Sequence, residues 1–336
     1  MKAIGFFKFD ANSGGEVLLD IDIPKPSPKG RDLLVKIEAV SVNPVDVKTR
    51  ARVPVDKKDA TILGFDAAGV VDSVGEKTTK FKPGDEVFYA GSLARSGTYA
   101  EYHLVDERIV GPKPRSLTFP EAAAVPLTSI TSWEMLFHRL AIPEGSSGAT
   151  VLIIGGTGGV GSMAVQLARQ LTNLTVVTTS FADTKELEWC RKNGAHHVID
   201  HLKPIAAQMT ALKTPPVKYV FSTNMTDQHY PQIAELIAPQ GHFGLIDDPA
   251  PLDLKLLKVK SVSVHWENMF TRSLFQTEDM EAQHDLLTRL SRMIDRGQIS
   301  TTLAEVLGPI NAANLAGAHD RIWQRHVPGK MVMVGF

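Results

Sequence analysis

The sequence is short of cysteine, of net charge and of long apolar runs. Its 336 residues include one cysteine, Cys190, so the chain can build neither an internal disulfide nor a cysteine-rich zinc site. The 36 basic and 37 acidic residues leave a net charge of -1, which supplies no field to attract nucleic acid or an anionic membrane surface. No apolar run reaches the roughly 18 residues that a membrane span needs. We therefore expect a cytoplasmic globular protein without nucleic-acid or membrane partners.

The length and the pattern along the chain predict two domains. Up to residue 125, short alternating runs are broken by glycine and proline, which indicates a compact domain of antiparallel strands. Its opening stretch, MKAIGFFKFD, predicts a strand rather than a secretory signal, because charge returns at Lys8 and Asp10. From 126 to 264, helical patterns alternate with short apolar strands, which indicates a parallel sheet covered by helices. After about residue 262, the segment VSVHWENMF does not extend this alternation cleanly, and the remainder of the chain either returns to the first domain or forms a separate subdomain.

The second domain shows predicted strands and helices in regular alternation. The strands are VLIIG at 151–155, LTVVTTS at 174–180, HVID at 197–200, VKYVFS at 217–222 and GHFGLI at 241–246. The helices are 159–171, 184–193, 204–211 and 227–238. A further helix near 279–296 and a final strand, KMVMVGF, belong to the last segment. This order predicts a doubly wound parallel sheet.

A glycine-dense turn follows the first of these strands and opens the first helix. The spacing G-x-G-x-x-G gives a tight bend, a close approach of backbone to a pyrophosphate and close packing of the helix on its strand. The helix directs its free N–H groups and its positive dipole end at the phosphates. A purely structural turn could use the same glycines, but the flanking strand and amphipathic helix supply the context of dinucleotide binding. The predicted cofactor contacts in the turn are Gly156, Thr157, Gly158, Gly159, Val160 and Gly161.

The end of the second strand indicates which dinucleotide binds. NAD-binding forms carry an acid about 20 residues after the glycines, where it bonds the ribose 2'-hydroxyl. Here the strand ends at Ser180, whose hydroxyl can donate to a 2'-phosphate, and Lys185 in the next helix can supply positive charge. Asp183 stands nearby as a competing acid, and Lys185 could equally face solvent. We expect NADPH rather than NADH.

Six segments of the chain form one recognisable pattern. They are SVNPVDVKTR at 41–50, ILGFDAAGVVDSVG at 62–75, FKPGDEVFYAG at 81–91, GTYAEYHLV at 97–105, EAAAVPLTSITSWEML at 121–136 and IGGTGGVG at 154–161. In this order they resemble the medium-chain dehydrogenase/reductase superfamily, and in particular its zinc-free quinone oxidoreductase branch, which includes zinc-type alcohol dehydrogenase-like members. The match is specific for fold and cofactor and much less so for substrate.

The resemblance implies an α/β fold in two parts. A Rossmann doubly wound parallel sheet at 126–264 would bind the dinucleotide, and a GroES-like, mainly antiparallel β catalytic domain would occupy 1–125. Residues 265–336 would return to complete the catalytic domain, leaving a cleft between two lobes. The resemblance also implies a homodimer.

The same resemblance places unsuitable residues where zinc enzymes keep their ligands. Asn43 stands in place of the first cysteine, and Gly64, Phe65 and Asp66 replace a Gly-His-Glu segment, so a phenyl ring replaces an imidazole. One cysteine cannot form the four-cysteine structural lobe. The histidine cluster AHHVIDH at 195–201 surrounds a strand, whose alternate side chains face opposite ways, so it is a poor substitute. We predict no metal.

The resemblance also implies candidate groups at the substrate. Asn43 would line the nicotinamide end of the cleft and donate from its amide, and Phe65 would form an apolar wall. Lys48 stands where many relatives have a tyrosine suspected of proton donation. A lysine desolvated by the cleft could donate a proton, whereas a solvated surface position is the alternative. Asp46 is expected to orient neighbouring groups.

Two further groups of residues are predicted to contact the cofactor. Thr128 and Thr131, in PLTSITSW, resemble family positions whose hydroxyls touch it, with capping of the helix N-terminus as the alternative. Gly244, Leu245 and Ile246 follow the fifth parallel strand, at the edge where such sheets bind ligands. Both groups would lie near the cofactor's path across the sheet.

The side chains predicted at the substrate determine which hydride-transfer reactions the protein can catalyse. Without a Lewis acid, hydride removal from an unactivated alcohol lacks its usual means of stabilising the alkoxide. Reduction of an electron-poor acceptor needs only positioning, hydrogen-bond donors and a proton. The sequence thus predicts an NADPH-dependent reductase of quinones or α,β-unsaturated carbonyl compounds. Two alternatives stay open: a non-catalytic NADPH-binding sensor or structural protein, and a metal-dependent alcohol dehydrogenase with other ligands.

Overall fold

The computed structural model describes residues 1–6, 18–51, 60–181, 183–324 and 328–336. The chain divides into two compact units. The first unit is Met1–Leu127 with Phe270–Phe336, and the second unit is Thr128–Met269. The sequence places these two divisions a few residues earlier, after 125 and 264. The end of the predicted opening strand, at 7–10, lies outside the described residues.

Strands and helices are numbered here in chain order. The strands are β1 Lys2–Phe6, β2 Leu19–Asp22, β3 Asp32–Ser41, β4 Thr61–Ile62, β5 Ala67–Val74, β6 Glu86–Tyr89, β7 Tyr102–Asp106, β8 Val110–Pro112, β9 Ser147–Ile154, β10 Asn173–Ser180, β11 His197–Asp200, β12 Val217–Ser222, β13 Ile237–Leu245, β14 Ser263–Trp266, β15 Leu303–Val306 and β16 Lys330–Val334.

The helices are α1 Pro44–Arg50, α2 Phe119–Ala123, α3 Pro126–Trp133, α4 Gly159–Leu171, α5 Thr184–Lys192, α6 Ile205–Leu212, α7 Thr226–Leu236, α8 Lys255–Lys258, α9 Thr271–Phe275, α10 Ala282–Asp295 and α11 Ala312–Trp323. A short 3-10 turn covers Glu107–Ile109, and a π-helical turn, Glu134–Arg139, continues directly from α3. Within the described ranges, no helix combines the length and apolar character that crossing a bilayer requires.

The first unit is built on two sheets. The larger has the order β15-β16-β3-β5-β6-β8, with β7 also pairing with β3, and the smaller has the order β2-β1-β4. The pairs of the larger sheet are antiparallel except for β15 with β16. Because β16 pairs with β3, the last segment of the chain completes a sheet that begins near the N-terminus.

Strand β3 anchors the core of this unit. A strand sends alternate side chains to one face, and Leu33, Val35 and Ile37 are all buried in one apolar cluster. Met331, from β16, belongs to the same cluster. Burial of this apolar surface holds the two ends of the chain in one domain.

The second unit is a parallel sheet in the order β11-β10-β9-β12-β13-β14. All of its pairings are parallel. The strand order reverses between β9 and β12, and doubly wound sheets bind ligands outside the carboxyl ends of the strands at such a reversal. The expected α/β fold, a Rossmann-type sheet with a mainly antiparallel β domain, is confirmed.

Most predicted elements of the second unit agree with the structure. Helix α4 has both of its predicted ends, and β12 does as well. The expectation that VSVHW at 262–266 does not extend the alternation is wrong, because Ser263–Trp266 pairs with β13 as the sixth parallel strand. As the edge strand of the sheet, β14 is only half-buried or exposed along its length. Its sequence therefore carries a weak apolar signal.

Candidate functional site

The glycine turn joins β9 to α4. Gly155 has a φ of 85°, a left-handed conformation that glycine adopts without strain. Its N–H donates to Thr179 Oγ1 at 2.9 Å, and the Gly156 N–H donates to Thr179 O at 2.9 Å. The turn is therefore tied to β10 by both a side-chain and a main-chain hydrogen bond.

The glycines of the turn are needed for different reasons. A Cβ at Gly156 would lie 2.0 Å from Thr178 Oγ1, and a Cβ at Gly161 would lie 2.1 Å from Gly155 O, so close packing excludes a side chain at both positions. A Cβ at Gly158 would meet its nearest atom, Gly155 O, at 3.8 Å. The protein itself thus leaves room at Gly158, which is where a pyrophosphate must approach the backbone.

Helix α4 begins at this turn without a side-chain cap. Gly158 is its N-cap residue and offers no side chain to the first N–H groups, which need partners outside the helix. Residues 157–160 are half-exposed, whereas Gly161 is buried against the turn. The predicted contacts from Gly156 to Gly161 therefore come together at one helix N-terminus, a geometry that suits a phosphate.

Helix α3 is fastened to the turn. Ser132 Oγ lies 2.7 Å from Thr128 O and 2.9 Å from Val160 O. Thr128 and Thr131 are buried, and both follow Pro126, the first residue of α3. Neither threonine therefore caps the N-terminus of α3, which was the alternative role considered for both. Their contact with the cofactor stays a prediction.

The carboxyl end of β10 carries Ser180 and leads into α5. Ser180 is buried, and Lys185 is exposed on α5. Asp183 is the N-cap of α5, because its Oδ1 accepts the Glu186 N–H at 2.9 Å. Glu186 Oε2 in turn accepts the Phe181 N–H at 2.8 Å. Both carboxylates close to Ser180 along the chain are thus used to begin the helix.

His201 follows β11 and lies at the same edge of the sheet. Its Nδ1 is 2.8 Å from Thr179 Oγ1, and its ring lies 5.2 Å from that of Phe181 and 4.5 Å from that of His229. Burial, reinforced by His229, lowers the pKa of His201 to about 4, so its imidazole is neutral at pH 7. In the sequence, His201 stands out only as part of the histidine cluster at 195–201. Its place directly after a predicted parallel strand is the signal that could have found it.

The histidine cluster at 195–201 does not converge on a common point. His196 accepts the Val176 N–H at 2.9 Å through Nδ1 and lies 2.8 Å from Arg169 Nη1 through Nε2, whereas His201 is directed at β10. In the described part of the chain, no three His, Cys, Asp or Glu side chains are placed to hold a metal ion.

Gly244, Leu245 and Ile246 lie at the carboxyl end of β13. A Cβ at Gly244 would be 2.2 Å from Met135 Sδ, so the methionine side chain packs directly on the glycine. Leu245 O accepts the Glu267 N–H at 3.1 Å. The structure places this segment on the same edge of the sheet as the glycine turn, and its contact with the cofactor stays a prediction.

A buried ammonium organises the first unit. Lys330, the first residue of β16, is 4% exposed. Its Nζ donates to Val42 O at 2.8 Å and to Asn43 Oδ1, and it pairs with Asp66 Oδ2 at 3.3 Å. An ammonium has three N–H groups, and each therefore has an oxygen partner here.

Asp66 is the anion of this arrangement. Its Oδ2 accepts from Ser41 Oγ at 2.8 Å and from Asn43 Nδ2 at 3.1 Å, and its Oδ1 accepts the Leu127 N–H at 3.0 Å. Burial raises the pKa of Asp66 and lowers the pKa of Lys330, because both charged forms lose hydration. The surrounding hydrogen bonds offset that loss, which is the condition under which a buried ion pair is tolerated.

Asp46 extends the arrangement to α1. Its Oδ2 accepts the Asn43 N–H at 2.8 Å and the Tyr99 hydroxyl at 2.7 Å. Burial raises the pKa of Asp46 to about 7. These contacts suit the orienting role expected for it. We refer below to the Lys330 cluster, which consists of Ser41, Asn43, Asp46, Asp66, Tyr99 and Lys330.

The predicted substrate groups lie in different surroundings. Asn43 is 1% exposed, and its amide is engaged inside the Lys330 cluster. Phe65 is buried, with its ring edge-on to that of Phe270 at 5.2 Å between centroids. Lys48 is exposed on α1, which agrees with the alternative that it occupies a solvated surface position. Donation from Asn43 or Lys48 to a substrate stays a prediction, and the structure gives the Asn43 amide internal partners.

The residues at the metal-ligand positions do not fit a zinc ion. Zinc sites in proteins are built from thiolate, imidazole and carboxylate donors in tetrahedral geometry. Phe65 offers no donor atom to a metal. Asn43 Oδ1 already accepts a hydrogen bond from the Lys330 ammonium, and both oxygens of Asp66 already accept hydrogen bonds. The positive charge of Lys330 also opposes a second cation at this place.

Lys330 is not among the predicted site residues. The segment KMVMVGF predicts a strand, and nothing in that pattern assigns a role to its lysine. A lysine at the head of an apolar strand is the available signal, because lysine is almost never fully buried unless it is paired.

Comparisons with known proteins identify relatives along the whole chain. The Alcohol dehydrogenase GroES-like domain family matches residues 29–115, and the Zinc-binding dehydrogenase family matches residues 159–289. A zinc-type alcohol dehydrogenase-like protein of Staphylococcus aureus is 39% identical over 99% of both chains. A solved structure from Rhizobium etli CFN 42 is described as a zinc-dependent alcohol dehydrogenase protein. It is 53% identical, has a TM-score of 0.95, and covers 100% of this chain and 98% of that chain.

Two plant relatives match a smaller part. The 2-methylene-furan-3-one reductase of Solanum lycopersicum is 36% identical over 58% of this chain and 51% of its own length. A chloroplastic quinone-oxidoreductase homolog of Spinacia oleracea is 34% identical over 62% of this chain and 64% of its own length.

The glycine turn generates a first prediction. Gly158→Ala should keep the fold and weaken NADPH binding about tenfold, because its methyl group meets no protein atom closer than 3.8 Å but faces the approach of the pyrophosphate. Gly161→Ala is the matched control, since its Cβ would lie 2.1 Å from Gly155 O and should lower the unfolding temperature instead. Titration calorimetry and thermal unfolding measure the two effects. Wild-type affinity in the Gly158 variant would remove this glycine from the phosphate site.

Proposed function

The chain belongs to the medium-chain dehydrogenase/reductase superfamily of oxidoreductases, and from that premise we propose that it reduces quinones or α,β-unsaturated carbonyl compounds with NADPH and without zinc. The observation that carries the proposal is the Lys330 cluster. Asn43 and Asp66, at two positions that resemble metal-ligand positions, are committed to an internal ammonium. Phe65, at the third, packs on Phe270.

This arrangement favours acceptors that are already electron-poor. Oxidation of an alcohol needs a Lewis acid or an equivalent group to stabilise the alkoxide, and these positions offer none. A quinone or the β-carbon of an enone accepts hydride more readily, and the resulting oxyanion requires hydrogen-bond donors and a proton. Bound NADPH would supply the hydride. The buried ring of Phe65 fits an apolar acceptor better than it fits a metal-bound alcohol.

The names of two relatives point in the same direction. The tomato relative is named as a reductase of a methylene-furanone, in which a carbonyl is conjugated to a carbon–carbon double bond, and the spinach relative is named as a quinone-oxidoreductase homolog. Together with the donor set of this chain, these names support the class of acceptor. The Staphylococcus relative carries the zinc-type name, which the residues at 43 and 65 do not support for this chain.

The preference for NADPH rests on the end of β10. Ser180 provides a hydroxyl where NAD-binding sheets place an acid. Asp183, the acid that could have taken that role, caps α5 through Oδ1. Lys185 is exposed on the first turn of the same helix, where its charge can favour a 2'-phosphate. The hydroxyl, the committed acid and the lysine together support NADPH.

We propose that the expected homodimer forms through the edge strand β14. An exposed strand edge offers unpaired main-chain groups to a second copy. Trp266 on this strand is 60% exposed, and Val259 shortly before it is 95% exposed.

Trp266→Glu should shift the sedimentation of the protein from dimer towards monomer. The control is Leu202→Glu, which should not, because Leu202 is 71% exposed but follows the opposite edge strand of the sheet. A Trp266 variant that sediments like the wild type would refute this assignment.

A panel of acceptors tests the reaction. Stopped-flow mixing of the NADPH-bound chain with quinones and enones should show rapid loss of nicotinamide absorbance, whereas saturated ketones should show none. The Gly158→Ala variant serves as the matched control, because weaker cofactor binding should raise the NADPH concentration needed for turnover. Tight NADPH binding with no oxidation by any acceptor would instead establish a sensor or structural protein. Alcohol oxidation that needs added metal would establish the metal-dependent alternative.

Ser180→Asp tests the cofactor preference. A carboxylate here should repel the 2'-phosphate and accept from a 2'-hydroxyl, so the ratio of NADPH to NADH affinity should fall about tenfold or more. Ser180→Ala is the control, because it removes the hydroxyl without adding charge and should change the ratio less. Dissociation constants for both dinucleotides measure the effect, with thermal unfolding to confirm that the buried position tolerates the change. An unchanged ratio would exclude Ser180 from cofactor selection.

A further inference from the structure

His201 contacts the end of β10 from the neighbouring strand. Its N–H donates to Ser180 O at 2.6 Å, and its Nδ1 lies within hydrogen-bond distance of Thr179 Oγ1, at 2.8 Å. Thr179 and Ser180 are the last two residues of β10. His201 therefore bonds both to the residue that ties down the glycine turn and to the residue predicted to select the dinucleotide.

Thr179 carries this contact onward to the glycine turn. Its Oγ1 accepts the Gly155 N–H at 2.9 Å, and its carbonyl oxygen accepts the Gly156 N–H at 2.9 Å. A hydroxyl has one donor and two acceptor sites, so Thr179 Oγ1 can bond to Gly155 and to the imidazole at the same time. A continuous chain of hydrogen bonds thus runs from His201 to the first residue of the turn.

The imidazole of His201 is itself held on its other side. Its Nε2 lies 2.9 Å from Met225 Sδ and 3.3 Å from His229 Nε2, and the two rings meet edge to face with centroids 4.5 Å apart. Met225, the N-cap residue of α7, has a φ of 52°, a conformation that a residue with a long side chain rarely adopts unless its surroundings enforce it. The start of α7 therefore fixes the orientation of the His201 ring.

His201 is not placed to bind a phosphate directly. It is 3% exposed, and both of its ring nitrogens face protein atoms. Burial, and then His229, lowers its pKa to about 4, so the ring carries no positive charge at pH 7. An effect of His201 on a bound dinucleotide must therefore pass through Thr179 and the main chain.

We propose that His201 is a positioning residue for the dinucleotide, and that it acts by holding the Thr179 hydroxyl in the orientation that fixes the glycine turn. This inference rests on the proposed function, since it assumes that the turn binds the pyrophosphate of a nicotinamide dinucleotide. The free N–H groups at the start of α4 are aimed at a phosphate only while the turn before them keeps its shape. His201 preserves that shape from outside the turn.

The first test compares the two histidines that flank β11. His201→Leu should weaken NADPH binding about threefold to tenfold, which is the effect of one lost hydrogen bond. His196→Leu is the matched control, because His196 Nδ1 accepts the Val176 N–H of β10 at the opposite end of β11. The control should lower the unfolding temperature without changing the affinity for NADPH. Titration calorimetry and thermal unfolding measure the two effects.

Two further substitutions separate positioning from general stability. His201→Asn places an amide, with both a donor and an acceptor, near the position of Nδ1 and should restore the NADPH affinity to within about twofold of the wild type. Thr179→Val should weaken binding at least as much as His201→Leu does. Adding His201→Leu to Thr179→Val should cause no further loss, because both substitutions interrupt the same chain of hydrogen bonds. In His201→Leu, the KM for NADPH should rise while kcat stays near its wild-type value.

His201→Phe is a second variant in case leucine is not tolerated, since it keeps a ring against His229 but has no nitrogen, and it should weaken binding to the same extent. Wild-type NADPH affinity in either folded variant would overturn the inference while leaving the proposed function intact. So would equal losses of affinity in His201→Leu and His196→Leu, or additive losses in the double variant. Absence of binding of both NADPH and NADH to the wild-type chain would overturn the proposed function and the inference with it.

Discussion

The Lys330 ammonium is the constraint on which the first unit depends. A lysine from the last strand of the chain is buried, and its three donors are answered by Val42 O, Asn43 Oδ1 and Asp66 Oδ2. Removing one member of a buried ion pair typically costs about 3–5 kcal/mol, because the remaining charge is left without compensation. The oxygens of Asn43 and Asp66 are therefore already engaged, and the proposed metal-free chemistry rests on that engagement.

Both units hold short backbone segments in place. The first unit does so with buried charged groups, and the second unit does so partly with glycines, which have no side chain. In the first unit, the Lys330 cluster holds the start of α1 and the end of β3. In the second unit, the Glu267 N–H donates to Leu245 O at the end of β13. The glycine turn requires glycine because a Cβ at Gly156 or Gly161 would lie near 2 Å from another atom. Each arrangement fixes a short piece of backbone, either at the carboxyl edge of the parallel sheet or beside the residues that resemble metal-ligand positions.

Local patterns were sufficient to predict much of the fold, whereas contacts between distant residues were not. Helix α4 has its predicted ends because its apolar period and flanking glycines are written in adjacent residues. Strand β14 was missed because an edge strand is poorly buried and its alternation is weak. The partners of Asn43 and of Arg139 stand at 330 and 267, and no local spacing connects them. The glycine turn between β9 and α4 could be predicted from adjacent residues, but the internal engagement of the Asn43 amide could not.

The central claim is that this chain moves hydride without a metal. It is tested most directly by measuring metal content and NADPH oxidation on one sample, purified without chelator and supplied with an acceptor that it reduces. The account predicts well under about one tenth of a zinc ion per chain, with turnover that a chelator does not change. One zinc ion per chain, together with loss of turnover on its removal and recovery on its return, would contradict the account.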